Sequence, residues 1–454
     1  MPARKYFPKL HLVSLSLVAA VLFAGTADAQ TPTPAPKPKA KAAAKAPPPT
    51  APRISRAAEP TYDEGTALRI SEAMLSYASL EVRGGWPAVP ASLTKLAPGA
   101  SGPEVARLRT RLAMTDDLAP EHEAGNVFDD NVAAGLRRFQ ARHGLEETGL
   151  VGPRTLAALN VPVSQRLKQL AASLDRLAGM DFSFGQKYVV VNIPAAVAEG
   201  VENGRVVRRH AIIAGKPERQ SPTLTTHITA VNLNPTWTVP LSILKKDIIP
   251  KMRRDPGYIA RMRMRVLDGS GREISPGSID WHSISSPNFT VRQDSGPWNA
   301  LGHVRFDMPN SSSVYIHDTN NRTLFNADYR FQSSGCARIE NPRDFAVWLL
   351  QDNPAGWDRR AIDAAIDRTV KQDIRLARRI PVAWIYLTGW TTRDGAIHFR
   401  DDVYHHDNRP SRAMVADLRP AISTAARASG FVLQSADPEP GPIEVQQFSY
   451  LDSQ

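Results

Sequence analysis

The sequence predicts an α+β protein of several domains, in which small helical units precede a mainly-β domain with an inserted cap. Three observations support this class. The chain has 454 residues, which is more than one hydrophobic core usually supports. Apolar residues recur at helical spacing from residue 58 to about 186. From residue 187 onward the pattern changes to short β-rich runs separated by turn signals.

The first 29 residues have the organisation of a secretory signal peptide. Arg4, Lys5 and Lys9 precede an apolar run at residues 10–25, and the small-residue triplet ADA at 27–29 offers a cleavage site. A retained membrane anchor is the alternative, but the run is short for a span that needs about 20 residues. We therefore expect export to the periplasm.

The linker and the net charge both indicate an envelope protein. Residues 30–57 consist mainly of Thr, Pro, Ala and Lys, so they cannot form a core and are expected to be an extended linker. The formal net charge of +11 favours polyanionic surroundings. Because the chain carries an export signal, cell-wall polymers or lipid head groups suit this charge better than nucleic acid.

Helical units are expected next. Residues 58–92 predict a helical scaffold whose apolar face is made by Leu68, Ile70, Ala73, Met74 and Tyr77. Residues 93–163 predict a three-helix domain: Ser101 and Glu104 form a capping box for the first helix, the second follows Asp130, and the third opens at Pro153. A linking helix is expected within residues 164–186.

Two stretches of the three-helix unit, FQARHGL at 139–145 and GLVGPRTL at 149–156, resemble the peptidoglycan-binding domain 1 family. This resemblance implies that the unit binds cell-wall polymer. A purely structural role is the alternative, because Phe139 is first of all a core residue and the glycines shape tight turns.

Residues 187–407 predict the mainly-β domain. Strands are expected at 188–193, 197–201 and 205–213, with Asn203-Gly204 as a hairpin turn. Further strands follow at 228–231, 304–306 and 314–316, and two last strands at 382–388 and 397–399 are expected to complete the sheet. The charged, proline-punctuated stretch at about 241–295 is predicted to be a cap over one end of the sheet. Residues 408–454 form a tail poor in patterning.

Cys336 is the single cysteine of the chain, so no intramolecular disulfide can form. A lone exported thiol is either an inert core residue or a reactive group. Small residues precede it, Arg338 follows two positions later, and a helix is expected to begin near Asn341. A nearby cation and a helix N-terminus both favour the thiolate, so we expect a reactive thiol of lowered pKa.

His317 is the candidate base for this thiol. Among eleven histidines it is distinguished by its place at the end of the strand predicted at 314–316, where a side chain is held rigidly. An ordinary surface histidine at a strand end is the alternative.

The two candidates lie in segments that resemble the active-site signature of L,D-transpeptidases of the YkuD type. These segments are HDT at 317–319 and FQSSGCAR at 331–338. The stretches GKP at 215–217, NPTWTVP at 234–240 and GPWNALG at 296–302 are similar to the large Gram-negative branch of that family. The usual signature has a second histidine before the glycine, and Ser334 stands there instead.

This resemblance implies a function. Cys336 would attack the carbonyl of the third residue of a peptidoglycan stem tetrapeptide with His317 as base, release D-alanine, and pass the acyl group to an amine as a 3-3 cross-link. Backbone N–H groups near Gly335 and Cys336 would hold the oxyanion, and Ser333 and Ser334 are the candidates to orient the imidazole or the oxyanion site. Substrate contacts are expected from Arg338, Trp298 and Asn299, and no metal or cofactor is expected. Hydrolysis as an L,D-carboxypeptidase and a non-catalytic wall-binding scaffold remain alternatives.

Overall fold

The structure, a computed structural model, describes residues 57–408 except 285 and 328. The predicted signal peptide, nearly all of the linker and the tail beyond residue 408 lie outside the described residues. None of the helices in the described part of the chain is long and apolar enough to cross a bilayer.

Five helices precede the sheet: α1 (Thr66–Val82), α2 (Pro103–Ala113), α3 (Asp130–Arg142), α4 (Pro153–Leu159) and α5 (Val163–Ala178). Helix α1 buries Ile70, Ala73, Met74 and Tyr77 as predicted. The inclusion of Leu68 in this face is wrong, because its side chain is 66% exposed.

Helices α2–α4 enclose a separate core around Leu108, Leu136 and Phe139. The capping box predicted for α2 is wrong: its N-cap is Gly102, no side chain caps it, and Pro103 occupies the first turn. Proline at the first position needs no N–H partner, so Ser101 is not required there. Helix α3 is capped by Asp129, whose carboxylate accepts from the Val132 N–H.

The strands in chain order are β1 (Lys187–Asn192), β2 (Val197–Glu202), β3 (Arg205–Gly215), β4 (Leu224–Leu233), β5 (Trp237–Thr238), β6 (Met264–Leu267), β7 (Glu273–Ile274), β8 (Thr290–Gln293), β9 (Val304–Asp307), β10 (Ile316–His317), β11 (Phe331–Ser333), β12 (Ala337–Ile339), β13 (Gln372–Ile385), β14 (Gly389–Thr391) and β15 (Ile397–Phe399). The later helices are α6 (Leu241–Ile243), α7 (Ile249–Arg254), α8 (Tyr258–Arg261), α9 (Pro342–Leu350) and α10 (Arg359–Asp367). The remaining elements are a π-helical turn (Leu244–Ile248) and short 3₁₀ turns (Ala91–Lys95, Pro120–His122, Pro217–Arg219, Pro276–Ser278, Arg322–Asn326).

Within the described residues, nine strands form one sheet in the order β11-β3-β12-β10-β9-β4-β13-β1-β2, and an additional pairing of β2 with β3 closes it into a ring. Strand β1 reads as a continuous apolar run because both of its faces are covered. Val189 and Val191 face the core inside the ring. Tyr188 and Val190 face a second core that contains residues of α1 and α5.

Two predictions concern the β2–β3 hairpin and the last strands of the chain. The β2–β3 turn is confirmed, with Asn203 at φ 50° and Gly204 at φ 73°, the left-handed values that such a turn requires. The prediction that residues 397–399 complete the main sheet is wrong. Strand β15 pairs with β14 in a separate two-stranded sheet.

The inserted segment forms a compact cap. It contains helices α6–α8 and a small sheet of order β5-β8-β6-β7, around a core of its own that includes Ile248, Val266 and Val291. Its first strand begins at Trp237, before the predicted start at about residue 241. The cap can therefore hold its shape as a unit over the sheet.

Candidate active site

Cys336 lies in the short loop between β11 and β12. Gly335, immediately before it, has φ 118°, a conformation that L side chains rarely adopt, and this glycine permits the tight turn. The loop is held from two sides. The Ser333 hydroxyl donates to the Cys336 carbonyl at 2.5 Å and accepts from the Gly335 N–H at 3.1 Å. The buried Ser221 hydroxyl donates to the Gly335 carbonyl at 2.8 Å.

His317 ends β10, as predicted, and is buried. Strand β10 pairs with β12 on one side, where His317 is opposite Arg338, and with β9 on the other, where it is opposite Arg305. Three neighbouring strands therefore place a cation on each side of the imidazole. Cys336 directly precedes β12, so this register places it next to Tyr315, two residues before His317, and the Ala337 N–H donates to the Tyr315 carbonyl at 3.1 Å.

Cys336, His317 and Arg338 line one cavity of about 590 Å³. Its opposite wall comes from the cap and includes Ile243, Ile248 and Met262, whose apolar side chains reduce access of water. The structure thus brings together the predicted nucleophile, the predicted base and the predicted cation. No group of three or more His, Cys, Asp or Glu residues in the described ranges is arranged to hold a metal ion.

The protonation states differ from the expectation of a lowered thiol pKa. Burial raises the pKa of Cys336 to about 11, and the opposing influences of the Tyr315 backbone, Arg338 and Arg305 are too weak to reverse it. Burial and the charge of Arg338 lower the pKa of His317 to about 3. The expected thiolate is therefore wrong for the resting site. Desolvation outweighs the nearby cations at both groups, so the resting cavity holds a neutral thiol and a neutral imidazole.

Arg338 is available to a ligand. Burial lowers the pKa of its guanidinium, Cys336 opposes this shift, and no carboxylate among the described residues contributes. A half-buried cation without a counter-ion is costly unless a ligand supplies the negative charge. Its geometry suits a carboxylate, which a guanidinium can bind through two parallel hydrogen bonds.

Comparisons with known proteins identify both domains. The L,D-transpeptidase catalytic domain family (YkuD) matches residues 186–360. Residues 186–360 are therefore the part of the chain that resembles an L,D-transpeptidase catalytic domain. The family described as "Putative peptidoglycan binding domain" matches residues 101–159, which contain α2–α4.

Relatives of the L,D-transpeptidase domain agree with this assignment. A protein of Haemophilus influenzae described as "Putative L,D-transpeptidase" is 34% identical over 252 residues, covering 55% of this chain and 50% of that protein. The chain thus spans about half the length of the curated relative it matches.

Solved L,D-transpeptidase structures are more distant. One from Mycobacterium smegmatis has 14% identity, covers 44% of this chain and 58% of the other, and gives a TM-score of 0.22. One from Xylanimonas cellulosilytica has 16% identity, covers 66% and 98%, and gives 0.21. TM-scores this low support no conclusion about this chain.

Two predicted substrate contacts of the L,D-transpeptidase domain do not line the Cys336 cavity. The prediction for Asn299 is wrong: the residue is fully buried, and its amide donates to the carbonyls of Pro235 (3.1 Å) and Asp294 (2.9 Å) while accepting from the Leu301 N–H. Asn299 therefore fastens the base of the cap. Trp298 is 40% exposed, and its ring contacts the guanidinium of Arg263 and does not line the cavity.

The roles expected of the two serines also change. Ser333 does not orient His317. Its hydroxyl donates within the cysteine loop, and its carbonyl accepts from the Lys216 backbone N–H. His317 Nδ1 is buried without a partner among the described residues. Ser334, at the position of the second histidine, accepts a hydrogen bond from Arg219 at 3.1 Å.

Sequence reasoning missed several residues of the site. Arg219 also pairs with Asp247 of the cap, with Nη2 to Oδ1 at 2.8 Å, so it connects the cysteine loop to the cap. Ser221 and Arg219 belong to the stretch RQSP at 219–222, in which neither residue carries a local sign of a role. Arg305 alternates with buried Val304 and Phe306, which indicates its strand face but not its position opposite His317.

Proposed function

We propose that this protein is a peptidoglycan L,D-transpeptidase that forms 3-3 cross-links through a Cys336 thioester on the third residue of a stem tetrapeptide. The observation that carries this proposal is that Cys336 and His317 line one cap-covered cavity together with Arg338. A thiol, a base and a cation without a carboxylate partner are the groups that acyl transfer from an anionic peptide requires.

The first half-reaction follows from the neutral resting pair. As the Cys336 sulfur attacks the carbonyl of the third residue, its proton passes to His317, so that no free thiolate accumulates. The developing oxyanion accepts a hydrogen bond from the Cys336 N–H, because the Gly335 N–H already donates to Ser333. The amide C–N bond then breaks, and His317 returns its proton to the leaving D-alanine amine.

The second half-reaction regenerates the thiol. An acceptor amine attacks the thioester carbonyl, the new C–N bond forms as the C–S bond breaks, and the proton lost by the amine reaches the sulfur through His317. Arg338 holds a carboxylate of the donor peptide during both steps. The cap excludes water, which otherwise competes with the amine for the thioester.

The finer biological setting belongs to the same proposal. The three-helix unit would hold the enzyme on wall polymer, and the N-terminal 29 residues would direct it to the periplasm. The helical unit is joined closely to the catalytic domain: Arg142 of α3 donates to the Ile397 carbonyl at 3.0 Å, and Arg400 donates to the Arg142 carbonyl at 2.8 Å. Polymer bound by the unit would therefore be held at a fixed distance from the cavity.

The test is a mass spectrum of the products formed from purified tetrapeptide muropeptides. Wild-type protein should yield cross-linked dimers that have lost one D-alanine, together with a transient protein adduct on Cys336. Cys336→Ala should yield neither, whereas Arg272→Gln, a matched change at an exposed cap residue, should behave as wild type. Tripeptides without dimers would indicate an L,D-carboxypeptidase. No product and no adduct from wild type would leave a wall-binding scaffold.

A further inference from the structure

A second cavity, of about 630 Å³, lies beside the one that contains Cys336. The two cavities are neighbours around a common wall, because both are lined by Trp237, Pro240, Leu301, Ser313 and Tyr315. The far side of this second cavity is formed by the cap and by strands of the nine-stranded sheet. Nothing in the half-reactions above uses it.

The lining of this second cavity is strongly basic. Arg292, Arg305 and Lys371 face it together with one carboxylate, Asp373. Lys371 pairs with Asp373 at 3.2 Å, and Asp373 also accepts from the Asn232 amide, so this carboxylate is already compensated. Arg305 pairs with Asp307, so Arg292 is the cation that leaves the lining with a net positive charge.

Arg292 is the residue that most clearly lacks a partner. Its Nε is buried and makes no hydrogen bond to any described residue, and no ion pair joins it to a carboxylate in that part of the chain. Arg305 differs, because it donates to the Asn232 amide oxygen and to Asp307. A guanidinium with an unused donor is a binding position for an anionic ligand group.

The second cavity is coupled to the reacting groups through two residues. Arg305 is opposite His317 in the β9–β10 register, and its guanidinium lies over the Tyr315 ring at 5.5 Å. The Tyr315 ring in turn lies 5.5 Å from the His317 ring. A peptide anchored at Arg292 could extend along Tyr315 and place an amine near the thioester.

We propose that this second cavity is the acceptor subsite and that Arg292 binds a carboxylate of the acceptor stem peptide. The inference rests on the proposed transpeptidase function. Arg338 already serves the donor peptide in the first cavity, so a second carboxylate-bearing peptide needs a second cation. The amine attacks the thioester carbonyl from the Tyr315 side, and the C–N bond forms as the C–S bond to Cys336 breaks.

Binding can be measured apart from catalysis in full-length Cys336→Ala protein, by calorimetric titration with a stem tripeptide that has free carboxylates. Adding Arg292→Gln should weaken binding about tenfold, since one charge-assisted hydrogen bond is lost. Arg292→Lys should recover part of this loss, and Arg272→Gln should leave it unchanged. A tripeptide whose carboxylates are amidated should bind weakly to Cys336→Ala protein. Its affinity should match that of the free tripeptide for the protein that also carries Arg292→Gln. Equal binding by the parent and Arg292→Gln would overturn the proposal.

Turnover separates the failure of this inference from failure of the proposed function. Wild type and Arg292→Gln are mixed with tetrapeptide donor and increasing acceptor, and the Cys336 adduct and the dimers are followed by mass spectrometry. We expect the acceptor concentration for half-maximal dimer formation to rise about tenfold in Arg292→Gln. An unchanged acceptor dependence with normal adduct formation would refute the acceptor subsite alone. Absence of the adduct in wild type would refute both proposals.

Discussion

The ionisation of Cys336 gives the most direct test of the site. The residues next to Cys336 in sequence suggest a lowered thiol pKa, whereas burial in the fold raises it. Burial places the thiol pKa at about 11, against an ordinary value of 9.0. A difference of about two units means that, at neutral pH, the folded protein has about a hundredfold less thiolate than an exposed cysteine would have. Alkylation, which needs the thiolate, should be slowed accordingly.

The assay is the rate of iodoacetamide alkylation as a function of pH, followed by mass spectrometry. Cys336 is the single cysteine, so the same chain unfolded in urea is the matched control. In the folded protein the logarithm of the rate should rise with pH until about pH 11. In the unfolded chain it should level off near pH 9. Restricted access alone would lower the folded rate at every pH without moving the pKa, so the profile separates the two causes.

Arg338 provides a second variant for the same assay. Its charge lowers the pKa of Cys336 and also lowers that of His317. Arg338→Gln should therefore raise the thiol pKa further and slow alkylation of the folded protein, while the unfolded chain reacts as before. A folded rate that exceeds the unfolded rate at pH 7, or an apparent pKa below 8, would refute the reasoning that burial dominates this site.

Three further predictions concern the cap and the cores. Arg219→Gln removes the ion pair to Asp247 that connects the cysteine loop to the cap. The ratio of hydrolysis to cross-linking should therefore rise severalfold in the muropeptide assay. An unchanged ratio would show that this contact does not restrain the cap. Asn299→Ala leaves buried carbonyls unpaired at the base of the cap. The free energy of unfolding, measured with denaturant, should therefore fall by about 2–4 kcal/mol. A fall of less than about 0.5 kcal/mol would contradict the role of Asn299 in holding the base of the cap. Phe139→Ala leaves a cavity at the centre of the three-helix core and should lower the free energy of unfolding of that unit by about 3–5 kcal/mol. In the denaturant titration the helical unit should then unfold at a lower denaturant concentration than in wild type. An unchanged unfolding curve would show that neighbouring side chains fill the cavity.

Features that depend on local pattern could be predicted from the amino-acid sequence. Helices α3 and α4, the Asn203-Gly204 hairpin and the strand ending in His317 all follow from spacing, turn residues and end signals that act over a few positions. The stretches around His317 and Cys336 likewise identified the L,D-transpeptidase catalytic domain before any fold was known. Local errors, such as the capping box at Ser101, arose where two adjacent signals competed and the proline decided.

The burial of the reacting groups, the strand register and the walls of the cavities became known only from the folded chain. The thiol pKa is raised because the chain folds around Cys336 and removes water, a cost that the neighbouring residues in sequence do not reveal. Arg305 comes opposite His317 only through the β9–β10 register, and Asn299 is recognised as the fastening of the cap only once its carbonyl partners are in place. Desolvation and strand pairing depend on residues distant along the chain, which is why local pattern could not predict them.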